Sequence, residues 1–409
     1  MKSVTFIHAA DLHLDSPMSG LVHLPEKIFD RLQKSTFQAL KRLIDYAIRY
    51  KVDFVILAGD LFDHEDRSIR AQIRLRQEME RLAGEGIVCF IVSGNHDHLG
   101  GNWTHIDMPD NVRFFGKDVE TIEYCTKAGV RVHLYGFSYP ERHVYERKIA
   151  EYKKKDGADF HIGILHGNLE GCSGHGNYAP FTLGELLEKD FDYWALGHIH
   201  KRTVLSKDPP VIYPGNTQGR NIKETGEKGC YLVTLTESDK EFVFLETNDV
   251  IWRDITLAVS GRHPLDDLYR TLLHALDKER RVKEGIIAKL TIHGADYDYR
   301  EAARLSDELL ELLQEEEKQE SSFVWPYSIQ FFLTRHWCKE DLTETSDFYS
   351  ELFAVAEENA GIEESLDVLY GHPRVRRFLR PLDEKEMAEL KDEALMYLIE
   401  NLLYGNESG

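Results

Sequence analysis

Residues 4–13 read VTFIHAADLH, an apolar run that ends in two side chains able to bind metal ions, Asp11 and His13. The same arrangement recurs at residues 54–60, FVILAGD, where the apolar run ends in Asp60. Short apolar runs that stop at glycine or polar residues are typical of buried β-strands. Ligands at the carboxyl ends of neighbouring strands in an open α/β sheet converge on one place, so these side chains are expected to meet.

Three further motifs follow apolar runs in the same way: GNHD at residues 94–97, HGN at residues 166–168 and GHIH at residues 197–200. Each motif alone is ambiguous, because an Asp after a strand is more often a helix cap or a turn residue than a ligand. A single H-x-H pair is often only the polar end of a strand. Five unrelated turns are not expected to place such residues in this fixed order by chance. The sequence therefore predicts a metal site assembled by the fold.

The candidate ligands are aspartate, asparagine and histidine, with no cysteine among them. They are Asp11, His13, Asp60, Asn95, His166, His198 and His200. Such a set suits Mn²⁺, Fe²⁺ or Zn²⁺ and not a structural zinc site. It exceeds what one ion with an open position requires, whereas two ions roughly 3.5–4 Å apart that share a carboxylate would use it fully. The sequence therefore predicts a metal-dependent hydrolase.

Helical patterns separate the strand-like runs in the first part of the chain. Apolar residues recur with helical spacing in Phe29–Tyr50 and Ile69–Ala83, which favours a layered α/β fold. After residue 250 the pattern changes to three strand-like and two helical segments without a metal-ligand motif, and then to an acidic, helical sequence. We therefore predict a catalytic domain over residues 1–250, a small α/β domain over 251–340 and a helical C-terminal tail over 341–409.

Composition narrows the class of protein. The chain has 42% hydrophobic and 30% charged residues, and no apolar stretch approaches the roughly 20 residues that span a bilayer. Its five cysteines are scattered without a C-x-x-C pair, which favours reduced thiols and the cytoplasm. The net charge of −21 weakens a nucleic-acid-binding interpretation without excluding it, because phosphate neutralisation requires Lys and Arg.

The five motifs, D-x-H, G-D, G-N-H-D, H-G and G-H-x-H, resemble the calcineurin-like metallophosphoesterase family in their order and separation. The GDLFD segment at residues 59–63, the chain length and the module after residue 250 are similar to the SbcD-type DNA repair nucleases of that family. The resemblance implies a four-layer α/β/β/α sandwich with a small α/β capping domain and a helical tail. It also implies two divalent metal ions, with Mn²⁺ as the expected metal.

The resemblance assigns roles to single residues. One ion would be held by Asp11, His13, Asp60 and His200, and the other by Asp60, Asn95, His166 and His198, with Asp60 bridging the two. His96 stands where the family keeps a histidine that is not a ligand. It would protonate the leaving oxygen or stabilise charge on the phosphoryl group, and Asp97 would orient its ring.

Substrate contacts are predicted around and after the last motif. Lys201 and Arg202 directly follow it, and Asn216 lies in the PGNTQGR segment of residues 214–220, which resembles a loop that closes the site in the family. A plain turn role for Asn216 is equally open. Asp63 is predicted either to contact the metal ligands without binding an ion itself or to cap the helix that follows.

The first functional hypothesis is a Mn²⁺-dependent nuclease that acts on DNA ends. The resemblance implies two protein partners, a long coiled-coil SMC-like ATPase of the SbcC type and a second copy of the chain in a homodimer. The C-terminal helices and the basic segment Arg374–Arg380 are candidate docking elements for the ATPase. Ordinary solvation explains an acidic helical tail equally well.

Two other hypotheses remain open at this stage. The same motifs serve a phosphodiesterase or phosphatase for a small nucleotide or a phosphoprotein, because the metals recognise the phosphoryl group and not what is attached to it. The separate module after the catalytic domain favours the nuclease, since small substrates do not need a cap. The third hypothesis is a non-catalytic scaffold for the ATPase, against which the complete ligand set and His96 argue.

Overall fold

The computed structural model of the chain describes residues 2–18, 21, 24–63, 67–101, 104, 106–171, 178–297, 299–317, 322–332, 338–357, 366, 382 and 384–404. These residues form two compact units. The first unit comprises residues 2–18 and 24–252, and the second comprises residue 21 and the described residues from 253 onwards. The basic segment Arg374–Arg380 lies outside the described residues. Within the described ranges, no helix has the length and apolar character needed to cross a bilayer.

The first unit contains two six-stranded sheets. Their strands, in chain order, are β1 (Ser3–Ala9), β2 (Phe54–Ala58), β3 (Val88–Val92), β4 (Val112–Phe114), β5 (Glu120–Cys125), β6 (Arg131–Gly136), β7 (Phe160–His166), β8 (Tyr193–Gly197), β9 (Thr203–Lys207), β10 (Pro210–Tyr213), β11 (Gly229–Thr236) and β12 (Lys240–Glu246). The sheet orders are β12-β11-β1-β2-β3-β4 and β5-β6-β7-β8-β10-β9. Strands β1 to β4 are parallel, as are β6, β7, β8 and β10, so the strands that precede ligand motifs within a sheet end at the same edge.

Two core layers follow from the alternation of side chains along the strands. In β2, Phe54 and Ile56 pack in the core between the two sheets, whereas Val55 and Leu57 pack in the core on the outer face of the first sheet. All five residues of β2 are buried, as expected for a parallel strand that is covered on both faces. This explains why the ligand motifs follow uninterrupted apolar runs.

Two helices cover the outer face of the first sheet, α1 (Glu26–Arg49) and α2 (Ile69–Gly84). The buried residues of α1 recur with helical spacing, which turns one apolar face towards the sheet. The side chain of Ser68 caps α2, because its hydroxyl oxygen accepts a hydrogen bond from the amide of Ala71 at 3.0 Å. Both helices were predicted from spacing, and their ends agree to within three residues.

The outer face of the second sheet is covered by a short 3-10 helix (Lys148–Glu151), α3 (Leu183–Leu187) and the segments around them. Trp194 on β8 packs there against Tyr152 and donates a hydrogen bond from Nε1 to the carbonyl of Leu186 at 3.1 Å. Layers of helix, sheet, sheet and helix follow one another. The predicted four-layer α/β/β/α fold is therefore confirmed.

The sequence patterns did not indicate the strands β4, β5, β6 and β9. β4 has only three residues, and no residue of β5 or β9 is buried, so these strands carry no apolar run. β6 is buried over residues 132–136, but its sequence RVHLYG was not recognised as a strand. Strands at the margins of a sheet need less burial than those at its centre, and the hydrophobic signal weakens accordingly.

The second unit contains a three-stranded sheet with two helices. Its elements are β13 (Val250–Gly261), α4 (Leu265–Glu279), β14 (Gly285–Ala295), α5 (Tyr299–Glu316) and β15 (Val324–Phe332), followed by α6 (Lys339–Thr345), α7 (Asp347–Glu357) and α8 (Glu384–Tyr404). Leu342, Phe353 and Ile399 form a small core among the last three helices. The order of strands and helices matches the pattern in the sequence, and the role of this module as a cap stays a prediction.

Candidate metal centre

The ligand motifs form turns with unusual backbone conformations. Asp11, His13, Asp60 and His198 have φ angles of 52°, 42°, 50° and 98°, in the left-handed region that residues other than glycine rarely adopt. Backbone hydrogen bonds hold two of these turns together. The amide of Asp11 donates to the carbonyl of Gly59, and the amide of His13 donates to that of Asp60, both at 3.0 Å. Strained residues that cluster in this way point to a functional site.

Asp11, His13 and His200 form the first group of ligand atoms, which all lie within 4.8 Å of one another. Nε2 of His13 is 3.1 Å from Nε2 of His200. Both oxygens of the Asp11 carboxylate lie 3.1 Å from the backbone amide of His198, which donates to them. Residues nearly 190 positions apart in the chain thus meet at one point.

Asn95, His166 and His198 form a second group. Oδ1 of Asn95 lies 3.1 Å from Nε2 of His166 and 3.1 Å from Nδ1 of His198. Asn95 is 6% exposed and His166 is fully buried, so these donors lie mostly away from bulk water. The amide oxygen of Asn95 and one ring nitrogen of each imidazole are thus close enough to bind the same ion.

Asp60 lies between the two groups. Its Oδ2 is 3.9 Å from Nε2 of His13 and 3.5 Å from Nε2 of His166, while Oδ1 accepts a hydrogen bond from the amide of His96 at 2.9 Å. One carboxylate thus faces a histidine of each group, which is the position that a carboxylate shared by two ions requires. The fold brings all seven candidate ligands together around Asp60.

Three glycines leave the space that these side chains occupy. A Cβ on Gly94 would collide with Oδ1 of Asp60 and with the ring of His166, and a Cβ on Gly59 would collide with the same ring. A Cβ on Gly197 would collide with the backbone at the end of β2. Gly59 also has a φ of 93°, which L side chains rarely adopt. The glycines of the G-D, G-N-H-D and G-H-x-H motifs therefore have a steric reason.

Three histidines each have one ring nitrogen close to an oxygen outside the ligand set. Nδ1 of His166 donates to a backbone carbonyl of β2 at 2.9 Å, and Nδ1 of His200 donates to Oε1 of Glu224 at 2.8 Å. Nδ1 of His13 is 3.2 Å from Oδ1 of Asp63. The hydrogen bonds of His166 and His200 favour the tautomer that leaves Nε2 available to a cation, an arrangement common around metal-binding histidines.

Arg220 connects the two carboxylates that hold these rings. Its guanidinium pairs with Asp63, and its Nη2 lies 3.2 Å from Oε1 of Glu224. Oε2 of Glu224 also accepts hydrogen bonds from the amide of Arg220 and from Nδ2 of Asn216, each at 2.8 Å. Burial raises the pKa of Glu224, but the hydrogen bond from His200 and the charge of Arg220 outweigh burial and hold that pKa well below its ordinary value.

Glu224 carries no signal in the sequence that marks it as part of the site. It lies in an irregular segment with no strand directly before it and no recognisable motif around it. For Asp63, the first of the two predicted roles matches the structure, because its carboxylate contacts His13 and Ser68 is the residue that caps α2. Nothing in the local sequence separates these two roles, since both depend on where distant residues lie.

The three predicted substrate contacts differ in their surroundings. Lys201 and Arg202 are exposed beside the last motif, and the guanidinium of Arg202 lies 3.9 Å from the ring centroid of Phe244. Asn216 is fully buried, and its amide nitrogen is bound to Glu224. Asn216 therefore supports Glu224 in this structure, and its contact with substrate stays a prediction.

His96 lies half-buried beside the first ligand group, with its ring centroid 5.0 Å from that of His13. Nδ1 of His96 is 2.7 Å from the backbone carbonyl of Asp63, to which it donates. That contact leaves Nε2 as the ring atom that can gain or lose a proton.

Asp97 does not orient this ring. Its carboxylate oxygens accept hydrogen bonds from the amides of Leu61 at 2.8 Å and Gly94 at 2.6 Å. The expectation that Asp97 holds His96 is therefore wrong, and the carbonyl of Asp63 does so. Asp97 instead ties the GNHD turn to the segment after β2, because it bonds to an amide of each.

Burial and neighbouring charges compete in setting the pKa values of the cluster. Desolvation raises the pKa of Asp11 to about 6 and lowers the pKa of His13 to about 3. Burial also lowers the pKa of His166, but the carboxylate of Asp60 outweighs it and raises that pKa to about 9. The pKa of Asp60 is in turn held well below its ordinary value, since His166 outweighs the effect of burial. A buried carboxylate–imidazolium pair of this kind exchanges its proton for a cation.

The donor set fits two divalent cations. Asp11, His13 and His200, and likewise Asp11, Asp60 and His166, each place three donor atoms within 4.8 Å of one another. Carboxylate, amide and imidazole groups without a thiolate suit Mn²⁺, Fe²⁺ or Zn²⁺. The glycines leave room for the ligand side chains, and the hydrogen bonds of Nδ1 keep Nε2 of His166 and His200 available to a cation.

Comparisons with known proteins agree with this geometry. The profile of the calcineurin-like phosphoesterases matches residues 4–202, which include all seven candidate ligands. The chain is 42% identical over 402 residues to the uncharacterized metallophosphoesterase YhaO of Bacillus subtilis, with 97% of this chain and 98% of that protein covered. It is 28% identical over 273 residues to the DNA double-strand break repair protein Mre11 of Methanocaldococcus jannaschii, with 61% and 67% covered. The protein of the same name from Methanopyrus kandleri is 26% identical over 308 residues, with 69% and 63% covered.

Proposed function

The chain belongs to the calcineurin-like phosphoesterase family, and on that basis we propose that it is a two-metal DNA nuclease that hydrolyses phosphodiester bonds. The observation that carries the proposal is the position of Asp60, whose Oδ2 lies 3.9 Å from Nε2 of His13 and 3.5 Å from Nε2 of His166. A carboxylate shared by two ligand groups supports a pair of divalent ions acting on one phosphoryl group. Mn²⁺ is the proposed metal, since mixed oxygen and imidazole donors suit it.

The proposed ligand sets share Asp60. One ion would be held by Asp11, His13, Asp60 and His200, and the other by Asp60, Asn95, His166 and His198. When bound, the two ions supply the activation of a water nucleophile and neutralise charge on the phosphoryl oxygens. The protein orients the donors, because Asp63 and Glu224 hold the rings of His13 and His200 from the side opposite to Nε2.

His96 is the proposed acid that protonates the leaving oxygen. Its Nδ1 donates to the carbonyl of Asp63, so Nδ1 keeps its proton while Nε2 delivers one. Histidine is the side chain that most often serves as a positioned general acid in enzymes. The leaving alcohol thus departs neutral, and the proton is recovered from solvent.

Two observations favour DNA as the substrate. Relatives in two archaea are named as DNA double-strand break repair proteins, and the exposed cations of Lys201 and Arg202 stand beside the last ligand motif. We propose in addition that the second unit caps the site and that the protein forms a homodimer. The helices α6 to α8 are proposed to dock a coiled-coil SMC-like ATPase, with the cytoplasm as the location.

A second candidate is a phosphodiesterase or phosphatase for a small nucleotide or a phosphoprotein. The net charge of −21 favours it, because binding a polynucleotide backbone relies on many cations. The ligand set serves both reactions equally, since it recognises the phosphoryl group alone.

An activity assay tests the proposal. Purified protein is incubated with Mn²⁺, Mg²⁺ or Zn²⁺ and with linear duplex DNA, single-stranded DNA or a chromogenic phosphodiester. We expect hydrolysis of DNA with Mn²⁺ and its loss in His96→Ala, while calorimetry finds Mn²⁺ binding near the parental affinity. A matched control is His274→Ala, an exposed histidine on α4, which should change neither property. Activity confined to the small ester would reject the nuclease in favour of the second candidate.

A further inference from the structure

A row of aromatic rings runs from the protein surface to the candidate ligand His198. The ring of Tyr178 lies 4.9 Å from that of His198, and the ring of His143 lies 5.4 Å from that of Tyr178. Tyr145 completes the row, with its ring centroid 5.7 Å from that of His143 and only 4° between the two planes. Three ring-to-ring steps, each under 6 Å, therefore separate Tyr145 from the metal centre.

The outer end of this row is open to solvent. Tyr145 is 66% exposed, which is the largest exposed fraction among the large hydrophobic side chains that the structure describes in the first unit. His143 beside it is also exposed, and Tyr178 is half-buried. Tyr145 therefore keeps most of its surface available for contact with a ligand.

Backbone and side-chain hydrogen bonds hold the row in place. The amide of Ala179 donates to the carbonyl of Val144 at 2.6 Å, which joins the segment of Tyr145 to that of Tyr178. The amide of Tyr178 donates to Oδ1 of Asn168 at 2.7 Å, and Asn168 is almost fully buried. The rings are therefore attached to a fixed support, and a ligand that stacks on them loses little affinity to ordering the protein.

We propose that the exposed ring of Tyr145, backed by His143, is a stacking platform for an unpaired nucleobase of the substrate. The inference rests on the proposed nuclease function, because the base that stacks on Tyr145 would belong to the strand whose phosphodiester bond is hydrolysed at the metal centre. Aromatic side chains bind successive bases of single strands in this way, and the contact tolerates any sequence because every base has a π-face. A base within a duplex is already stacked, so the platform selects single strands and frayed ends.

Binding to oligonucleotides tests the platform without any hydrolysis. Fluorescence anisotropy in the presence of a chelator measures the affinity of the full chain for labelled single-stranded oligothymidylate, for an abasic oligonucleotide of the same length and for thymidine monophosphate. We expect Tyr145→Ala to weaken oligothymidylate binding between about fivefold and about a hundredfold, and to leave the abasic oligonucleotide unaffected. Tyr145→Phe should retain the parental affinity, because it keeps the ring.

A matched control is Tyr50→Ala, which removes a ring that is 43% exposed at the end of α1. It should change neither affinity. Equal losses for intact and abasic oligonucleotides, or no loss in Tyr145→Ala, would overturn the platform. If Tyr145→Ala weakened only the binding of thymidine monophosphate, the ring would be a binding site for a small nucleotide. That result would overturn the proposal that the ring binds a polynucleotide.

The same experiment separates the platform from the proposed function. A parent protein that binds oligothymidylate through Tyr145 but hydrolyses no DNA with any of the three metals would reject the nuclease and keep the platform. A parent protein that hydrolyses DNA with unchanged affinity in Tyr145→Ala would keep the nuclease and reject the platform. A parent protein that neither binds nor hydrolyses DNA would reject both.

Discussion

Glu224 accepts a hydrogen bond from Nδ1 of His200 at 2.8 Å, although no sequence motif marks Glu224. Asp63 lies close to His13 in a similar way, with 3.2 Å between Oδ1 and Nδ1, although this contact lacks hydrogen-bond geometry. Arg220 pairs with both carboxylates, so one guanidinium ties together the supports of two candidate ligands. The orientation of one ligand group therefore depends on residues that do not themselves contact an ion.

Replacement of Glu224 is expected to weaken metal binding. Glu224→Ala removes the acceptor for Nδ1 of His200, and support of this kind typically changes metal affinity by about 10- to 100-fold. Glu224→Gln keeps an oxygen acceptor and should lose less. Calorimetric titration with Mn²⁺ measures both, and Glu188→Ala, an exposed carboxylate after α3, is the control. Parental affinity in Glu224→Ala would contradict the role assigned to this residue.

Asp97→Asn is expected to lower the free energy of unfolding and to leave the pH profile of activity unchanged. The asparagine has one oxygen for the two amides of Leu61 and Gly94, so one buried amide loses its acceptor, at roughly 1–3 kcal/mol. Urea unfolding in the presence of a chelator measures this loss, and Asp156→Asn, an exposed turn residue, should show none. An unchanged free energy of unfolding together with a changed pH profile of activity would restore Asp97 as the residue that orients His96.

Gly94→Ala is expected to disturb the metal centre directly. The added methyl group would collide with Oδ1 of Asp60 and the ring of His166, and overpacking of this kind costs about 1–3 kcal/mol. Gly84→Ala is the matched control, because a Cβ at the end of α2 meets no atom within 4 Å. Thermal unfolding and Mn²⁺ titration should both separate the two variants. If Gly94→Ala bound two ions with parental affinity, the described packing of this motif would be wrong.

Acid destabilisation is expected to depend partly on His8. Burial between the sheets lowers the pKa of His8 to about 3, and its two ring nitrogens contact the hydroxyl of Tyr193 and the carbonyl of Leu196. The unfolded chain protonates His8 near pH 6.5 while the folded protein does not. Stability is therefore full above pH 6.5 and is lost as the pH falls towards 3, by at most about 1.4 kcal/mol for each pH unit.

The measurement compares urea unfolding at pH 7.5 and pH 5 for the parent and His8→Gln. We expect a smaller difference between the two pH values in His8→Gln, even though this variant is less stable at pH 7.5. His274→Gln, which changes an exposed histidine on α4, should keep the parental difference. An identical pH dependence in the parent and His8→Gln would show that His8 is not a source of the acid sensitivity.

The ligands were predictable because each follows a strand buried on both faces. Such a strand leaves an uninterrupted apolar run in the sequence, and a polar residue that ends it, as Asp60 does after β2, is easily seen. Glu224 carries no such signal, since its segment is irregular and its partner lies 24 positions away. Asp97 follows His96 directly in the sequence, which suggested that it orients the ring. Its carboxylate instead accepts hydrogen bonds from the amides of Leu61 and Gly94, and the local sequence does not reveal this orientation.

The candidate ligands are divided between the two sheets. Asp11, His13, Asp60 and Asn95 follow strands of the first sheet, whereas His166, His198 and His200 end or follow strands of the second. Each proposed ligand set includes donors from both sheets, so each ion would link the two sheets at the edge where the ligands lie. Metal binding and the docking of the sheets are then thermodynamically linked, and one site at 100 times its Kd adds about 2.7 kcal/mol to the free energy of unfolding. The ions needed for hydrolysis would thereby also keep the two halves of the catalytic domain together.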